Sequence, residues 1–185
     1  MKLISVNIGS PRPITWKGKI VMTGIFKEPV RDRRILLQKY NLDGDRQADL
    51  SVHGGENKAV YVYPSEHYGF WQQQFPGMNL PWGMFGENFT TKGLWENEVH
   101  KGDRFRIGSA EVMVTQPRMP CYKLGVKFGR ADIIRRFLTS GRTGFYLTVL
   151  QEGEVGAGDV IELIHRDESQ VTIAEMVWLT RGRKK

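Results

Sequence analysis

One cysteine and four histidines in 185 residues set the first limits on this chain. A lone thiol, Cys121, cannot form an internal disulfide, so a disulfide-stapled secreted scaffold is excluded. The histidines stand apart at positions 53, 67, 100 and 165, with no CxxC pair or HExxH run beside them, and zinc is a poor fit. Neither a GxGxxG fingerprint nor a Walker run occurs, which argues against the common dinucleotide and P-loop uses. The longest apolar runs are too short to cross a bilayer. Met1-Lys2-Leu3-Ile4-Ser5-Val6 reads as an opening strand and lacks the apolar stretch and cleavage site of a signal peptide. A cytoplasmic protein without a membrane partner is the expectation.

What is present points to a β-rich domain. Twenty-one glycines and eight prolines imply many turns. The length suits one domain with a real core. Runs rich in Val, Ile, Tyr and Phe, bounded by Gly, Asp or Pro, predict strands over Leu3–Ile8, Lys19–Phe26, Ile35–Gln38, Ala59–Tyr63, Arg104–Ile107, Glu111–Thr115, Gly144–Leu150 and Val160–Ile164. Val60-Tyr61-Val62-Tyr63 suits burial on both faces. Three helices are predicted: one capped by Ser65 and ending near Phe75, one over Ala131–Leu138, and one opened by the capping-box pair Thr172 and Glu175. No βαβ rhythm is visible, so a doubly wound parallel sheet is disfavoured and a closed or partly open β-barrel with helices over its ends fits better.

The net charge is +7, and the basic tail Arg181-Gly182-Arg183-Lys184-Lys185 carries four of the positive charges, leaving about +3 elsewhere. Aromatics sit mostly in apolar runs and not beside basic residues, which argues against a nucleic-acid partner.

Three segments look unlike scaffold. Gly44-Asp45-Arg46-Gln47-Ala48-Asp49 leads into Val52-His53-Gly54-Gly55-Glu56-Asn57-Lys58, where Gly54-Gly55 lets backbone amides approach an anion and Arg46, His53 and Lys58 supply positive charge. The plainer reading is a solvated Asp-Gly turn. Phe85-Gly86-Glu87-Asn88-Phe89 offers a donor and an acceptor on Asn88, and reads equally as a polar turn before a strand. Gln116-Pro117-Arg118-Met119-Pro120-Cys121-Tyr122-Lys123 holds the thiol in a loop stiffened by two prolines and flanked by two cations, which favour thiolate. A buried structural cysteine is the alternative there. A Cys–His–Asn trio of Cys121, His53 and Asn88 is conceivable from residue types alone.

In order along the chain, Thr23-Gly24-Ile25-x-Lys27-x-Pro29-Val30, Gly44-Asp45-x-Gln47-x-Asp49, His53-Gly54-Gly55 through Tyr63, Gly86-Glu87-Asn88, Gly102-Asp103 and Pro117-Arg118-x-Pro120-Cys121 resemble the MOSC domain family, nearest its stand-alone YiiM-like branch. The resemblance spans roughly residues 1–165 and leaves 166–185 as a short helix and basic tail, truncated relative to longer relatives. It implies a mainly β, MOSC-type β-barrel with a few short helices packed around it. It also implies binding of the molybdenum cofactor (molybdopterin) with the Cys121 sulfur on molybdenum, a polarizable thiolate suiting that metal. Lys27, Arg46, Lys58 and Arg118 become candidates for the pterin and its phosphate. Gly54 and Gly55 would sit close to it, His53 and Asn88 would hydrogen-bond cofactor or substrate, and His53 would be the proton donor beside Cys121. The implied activity is reduction of N-hydroxylated bases with electrons from a separate flavoprotein. The alternative function is a carrier that holds sulfur as a Cys121 persulfide, or holds cofactor for delivery.

Overall fold

The structure is a computed structural model describing residues 1–46 and 54–182. Twelve strands and four helices follow in the order β1 (Lys2–Ile8), β2 (Arg12–Trp16), β3 (Lys19–Thr23), β4 (Glu28–Pro29), β5 (Ile35–Leu37), β6 (Val60–Pro64), α1 (Glu66–Gln74), β7 (Phe89–Lys92), β8 (Arg104–Ile107), β9 (Ala110–Pro117), α2 (Tyr122–Phe128), α3 (Ile133–Ser140), β10 (Phe145–Gln151), β11 (Gly153–Val155), β12 (Ile161–His165) and α4 (Ile173–Gly182). Eight strands form one sheet in the order β12-β8-β9-β10-β6-β7-β1-β4, and the pairs β11-β5 and β2-β3 stand as small sheets of their own. The chain is mainly β, as its turn-rich composition predicts.

The expected barrel is corrected in one respect: the large sheet does not close on itself. Its β12 end meets β1 only through an isolated bridge, Lys2 with Val160, flanked by three backbone bonds (Leu3 N–H to Asp159 O 2.9 Å, Gly158 N–H to Leu3 O 2.8 Å, Ile161 N–H to Met1 O 3.0 Å). β4 lies against the other half of that edge of β1, at Asn7 and Ile8, so no continuous ladder can form there. One pair, β6 with β7, is parallel and is joined through α1.

The sequence Val60-Tyr61-Val62-Tyr63 divides the interior. Alternation along a strand sends Val60 and Val62 into an aliphatic core with Leu3, Phe89, Val112 and Leu147, while Tyr61 and Tyr63 enter an aromatic core with Trp71, Phe85, Phe128 and Phe137. α1, α2 and α3 supply most of the second core. The Phe85 ring stacks on Tyr63 at 4.3 Å, and Trp71 Nε1–H donates to the Tyr63 hydroxyl at 2.6 Å. Offset rings with a satisfied polar edge stabilise beyond their buried area. Truncating a fully buried ring such as Phe85 would cost about 3–5 kcal/mol.

Local signals behave unevenly. The Thr172 hydroxyl accepts from the Glu175 N–H (3.1 Å) while Glu175 accepts from the Thr172 N–H (2.8 Å), which is the reciprocal capping box that opens α4. Ser65 stands at the N-cap of α1 but its side chain makes no capping bond; its hydroxyl turns to Glu66 instead. Among the described residues no helix is long and apolar enough to cross a membrane.

Candidate functional site

A cleft partly open to solvent lies where the aromatic core reaches the surface. One wall is the stretch Thr23-Gly24-Ile25 that leaves β3. The floor carries Tyr61 of β6, Tyr146 of β10 and Asn88 just before β7, and the far wall is Arg118, Met119, Cys121 and Lys123. Arg46, Lys58 and Lys27 add positive charge around it.

Cys121 occupies the N-cap of α2 in extended conformation, and its side chain is half-buried in the cleft wall. Two residues earlier than the second proline, Arg118 leaves β9 with its backbone N–H on Gly144 O (3.2 Å). Its side chain is only 5% exposed. The guanidinium lies 5.1 Å from the Tyr61 ring and 5.1 Å from that of Phe137, and it hydrogen-bonds the Tyr146 hydroxyl. Its Nη1 is buried with no hydrogen-bond partner. An arginine that spends one nitrogen on a phenol and keeps another unsatisfied in a cleft is a donor awaiting an acceptor. Burial pushes the Tyr61 and Tyr146 hydroxyls up from their ordinary values, against the pull of Arg118, so both keep their protons at neutral pH.

Lys27 and Asn88 line the cleft and are both engaged by Asp45. Lys27 Nζ binds both oxygens of Asp45 at 2.5 Å in a buried ion pair, and burial pulls the ammonium down from its ordinary value despite Asp45. Asp45, read from sequence as a solvated turn residue, is 2% exposed and also accepts the Gly9 N–H (2.9 Å) and Asn88 Nδ2–H (2.9 Å). Asn88 Oδ1 accepts the Tyr61 N–H at 3.1 Å. These two side chains fix the floor and wall of the cleft to one another. Glu87, beside Asn88, is fully buried and faces away into structure, where it accepts from the Tyr68 hydroxyl, from Gly83 N–H (2.8 Å), from Phe85 N–H (3.0 Å) and from the Thr90 hydroxyl (3.0 Å). Burial raises its carboxyl above the usual range.

Of the residues singled out from sequence, Lys27, Arg46, Gly54, Lys58, Asn88, Arg118 and Cys121 line this one cleft. Gly55 lies behind Gly54, at the N-cap of a single 3-10 turn over Glu56–Lys58 that presents Lys58. His53 lies outside the described residues. Sequence reasoning missed Tyr61 and Tyr146 as site residues. Their hydroxyls end two strands that read as pure core, and the only signal was a phenol where an aliphatic side chain would have packed as well.

Among the described residues no group of three or more His, Cys, Asp or Glu could hold a metal ion.

The sequence was compared with known families and structures. Residues 49–162 match the MOSC domain model. YflK of Bacillus subtilis, an uncharacterized protein, is 44% identical over 171 residues, covering 92% of this chain and 76% of its own. A protein of Gibberella moniliformis named only as a reductase is 29% identical over 184 residues, which is 98% of this chain but 32% of that one. The crystal structure of YiiM from Geobacillus stearothermophilus superposes with a TM-score of 0.81 at 34% identity, covering 100% of this chain and 86% of the other.

Proposed function

From the premise that this chain belongs to the MOSC domain family, we propose that its cleft holds the molybdenum cofactor and that the loaded protein reduces N-hydroxylated bases with electrons from a separate flavoprotein. The observation that carries the reading is the unsatisfied Nη1 of buried Arg118 in the same wall as the only thiol of the chain. A ligand that joins an anionic group to a thiolate-seeking metal meets both needs. The residues fit such a group. Cys121 would supply one soft sulfur ligand and the pterin dithiolene would supply others, which suits a site where the described residues offer no cluster of protein ligands.

Arg118 would take the phosphate as a charge-assisted donor, with Arg46, Lys58 and Lys123 adding to the positive potential around it. Lys27 and Asn88 would act by holding the walls, since Asp45 engages both. Tyr146 would accept from Arg118 and turn its retained proton toward the bound molecule. When bound, the cofactor would supply two-electron reduction of the N–O bond, the electrons coming from the flavoprotein and two protons leaving with the oxygen as water. A buried, proton-retaining phenol is suited to orient the N-hydroxyl group.

The experiment is metal and pterin analysis of protein made in a host able to load other molybdoenzymes, followed by turnover of an N-hydroxylated purine with a chemical reductant. Molybdenum and pterin near one per chain, with turnover, are expected. Neither metal nor pterin would overturn the reading. Persulfide on Cys121 without molybdenum would favour a sulfur carrier instead.

A further inference from the structure

Three parts of the cleft meet on one ammonium that no sequence motif pointed to. Lys127 sits near the end of α2, the helix that begins after Cys121. Its Nζ reaches across to donate to Ile25 O (3.1 Å), in the opposite wall, and to Gly83 O (2.6 Å), in the turn that leads to Gly86 and Asn88. We infer that Lys127 is a positioning residue that fixes the width of the cleft by tying the thiol-bearing helix to the wall facing it.

The opposite wall needs such a tie. Thr23-Gly24-Ile25 follows the β2–β3 hairpin, which pairs only with itself and adds no rung to the eight-stranded sheet. Thr23 Oγ1 accepts the Ile25 N–H (3.2 Å), and Ile25 O accepts the Lys27 N–H (3.0 Å), but both bonds are internal to the stretch. The turn on the other side is already packed to contact. A Cβ at Gly83 would lie 2.7 Å from Lys27 O, and one at Gly86 would lie 2.7 Å from Ile25 Cγ1. Ile25 and the Gly83–Gly86 turn are thus in close contact, and Lys127 bonds both of them to α2. The apolar anchors of α2, Leu124 and Phe128, set the helix on the aromatic core, against which Ile25 also packs, so Lys127 adds a directional polar tie to an apolar contact.

The charged groups around the ammonium are mixed: Glu87 from the turn, Lys27 and Glu28 after the hairpin, and Arg12 on β2, with the Phe26 ring at 5.5 Å. Burial holds Lys127 down to about 8. A cation kept where water is scarce costs stability, so its use here is geometric rather than stabilising.

This inference rests on reading the cleft as the functional site, but its test needs no cofactor. Cys121 is the only thiol in the chain, so alkylation by iodoacetamide reports on that wall alone. The rate is measured on the cofactor-free full chain at neutral pH, and divided by the thiolate fraction from ultraviolet absorbance. Lys127→Met should raise the corrected rate at least tenfold while the melting temperature holds or rises, and Lys127→Arg should restore much of the protection. Hydrogen exchange on the wild type, needing no variant, should show the Lys27 N–H protected well beyond the hairpin amides. An unchanged corrected rate in Lys127→Met, or a Lys27 amide that exchanges as fast as the hairpin, would overturn the inference. Absence of molybdenum would overturn the cofactor reading and leave this result standing.

Discussion

Replacing Arg118 by methionine removes a charge and keeps most of the stem, and the structure sets its two consequences apart. The guanidinium lies 5.1 Å from each of two rings. A largely desolvated cation–π contact is worth about 1–2 kcal/mol. Against this stands the buried Nη1 without a partner, a cost of about 1–3 kcal/mol. The hydrogen bond to the Tyr146 hydroxyl is also lost, and methionine, which packs well against aromatic faces, makes up part of the difference, so stability should fall by about 1 kcal/mol. For a domain of this size that is a melting shift of about 2–4 °C. A bound phosphate loses a charge-assisted hydrogen bond worth about 1.5–3 kcal/mol, or about ten- to a hundredfold in affinity. The assay follows molybdenum and pterin retained per chain during dialysis, with thermal melting on the same preparation. Arg118→Ala is the poorer probe, because it also empties the space beside Phe137. Unchanged retention in a normally folded Arg118→Met protein would refute the anion contact, and a fall in melting temperature of roughly 10 °C would make the residue structural.

Cys121→Ser should lose molybdenum and reductase turnover with little change in melting, because the side chain is half-buried in the cleft wall and the hydroxyl ligates a soft metal poorly; a serine variant with full metal content and activity would remove Cys121 as the ligand. Glu87→Gln should cost about 2–4 kcal/mol in denaturant unfolding, since four donors converge on its two oxygens and an amide NH₂ must oppose one of them. Lys127 gives a pH signature. Its folded value of about 8 lies below the ordinary 10.5, so the unfolded chain binds the extra proton between those values. Stability attributable to this group therefore rises with pH across that window, by up to about 3 kcal/mol. Denaturant curves should show the rise in the wild type and lose that part of it in Lys127→Met; identical pH slopes in the two proteins would contradict the assignment.

Much of the fold was legible where patterning was strong. β8 was predicted to its residues, and the strands around Val60, Val112 and Leu147 lie within two or three residues of the expected bounds, because runs of β-branched and aromatic residues form the sheet centre. α2 was hidden. Its stretch holds Gly125, a weak helix former, directly after a two-proline loop, and it reads as more of that loop. The glycine is there for packing: a Cβ would approach Arg130 O to 3.3 Å. β7 was anticipated only as a strand after the Phe85–Phe89 turn, without bounds, because its parallel pairing to β6 comes through the intervening helix α1 and leaves no local mark. At the site, residue type pointed to segments that meet at one cleft but not to how their side chains are engaged there. Lys27 and Arg118 both look like phosphate ligands in sequence. Only the fold pairs one with Asp45, many residues away, and leaves a nitrogen of the other unsatisfied.

The meagre seam between β1 and the turn before β12 bears on how the chain assembles in time. β1 precedes the other described strands in the sequence, yet its ladder partner β7 ends at Lys92 and the bonds along the seam come from Gly158–Ile161. Its later residues find early neighbours in β4 and in Val30, whose N–H donates to Val6 O at 2.8 Å. Its first residues wait for β7, and the seam bonds form only once Gly158–Ile161 has been made. Such long-range pairing slows folding and leaves a strand edge open to wrong partners. Its charged Lys2 and buried-polar Ser5 and Asn7 are poor material for a sticky edge, so the strand that must wait longest is also one that resists pairing elsewhere.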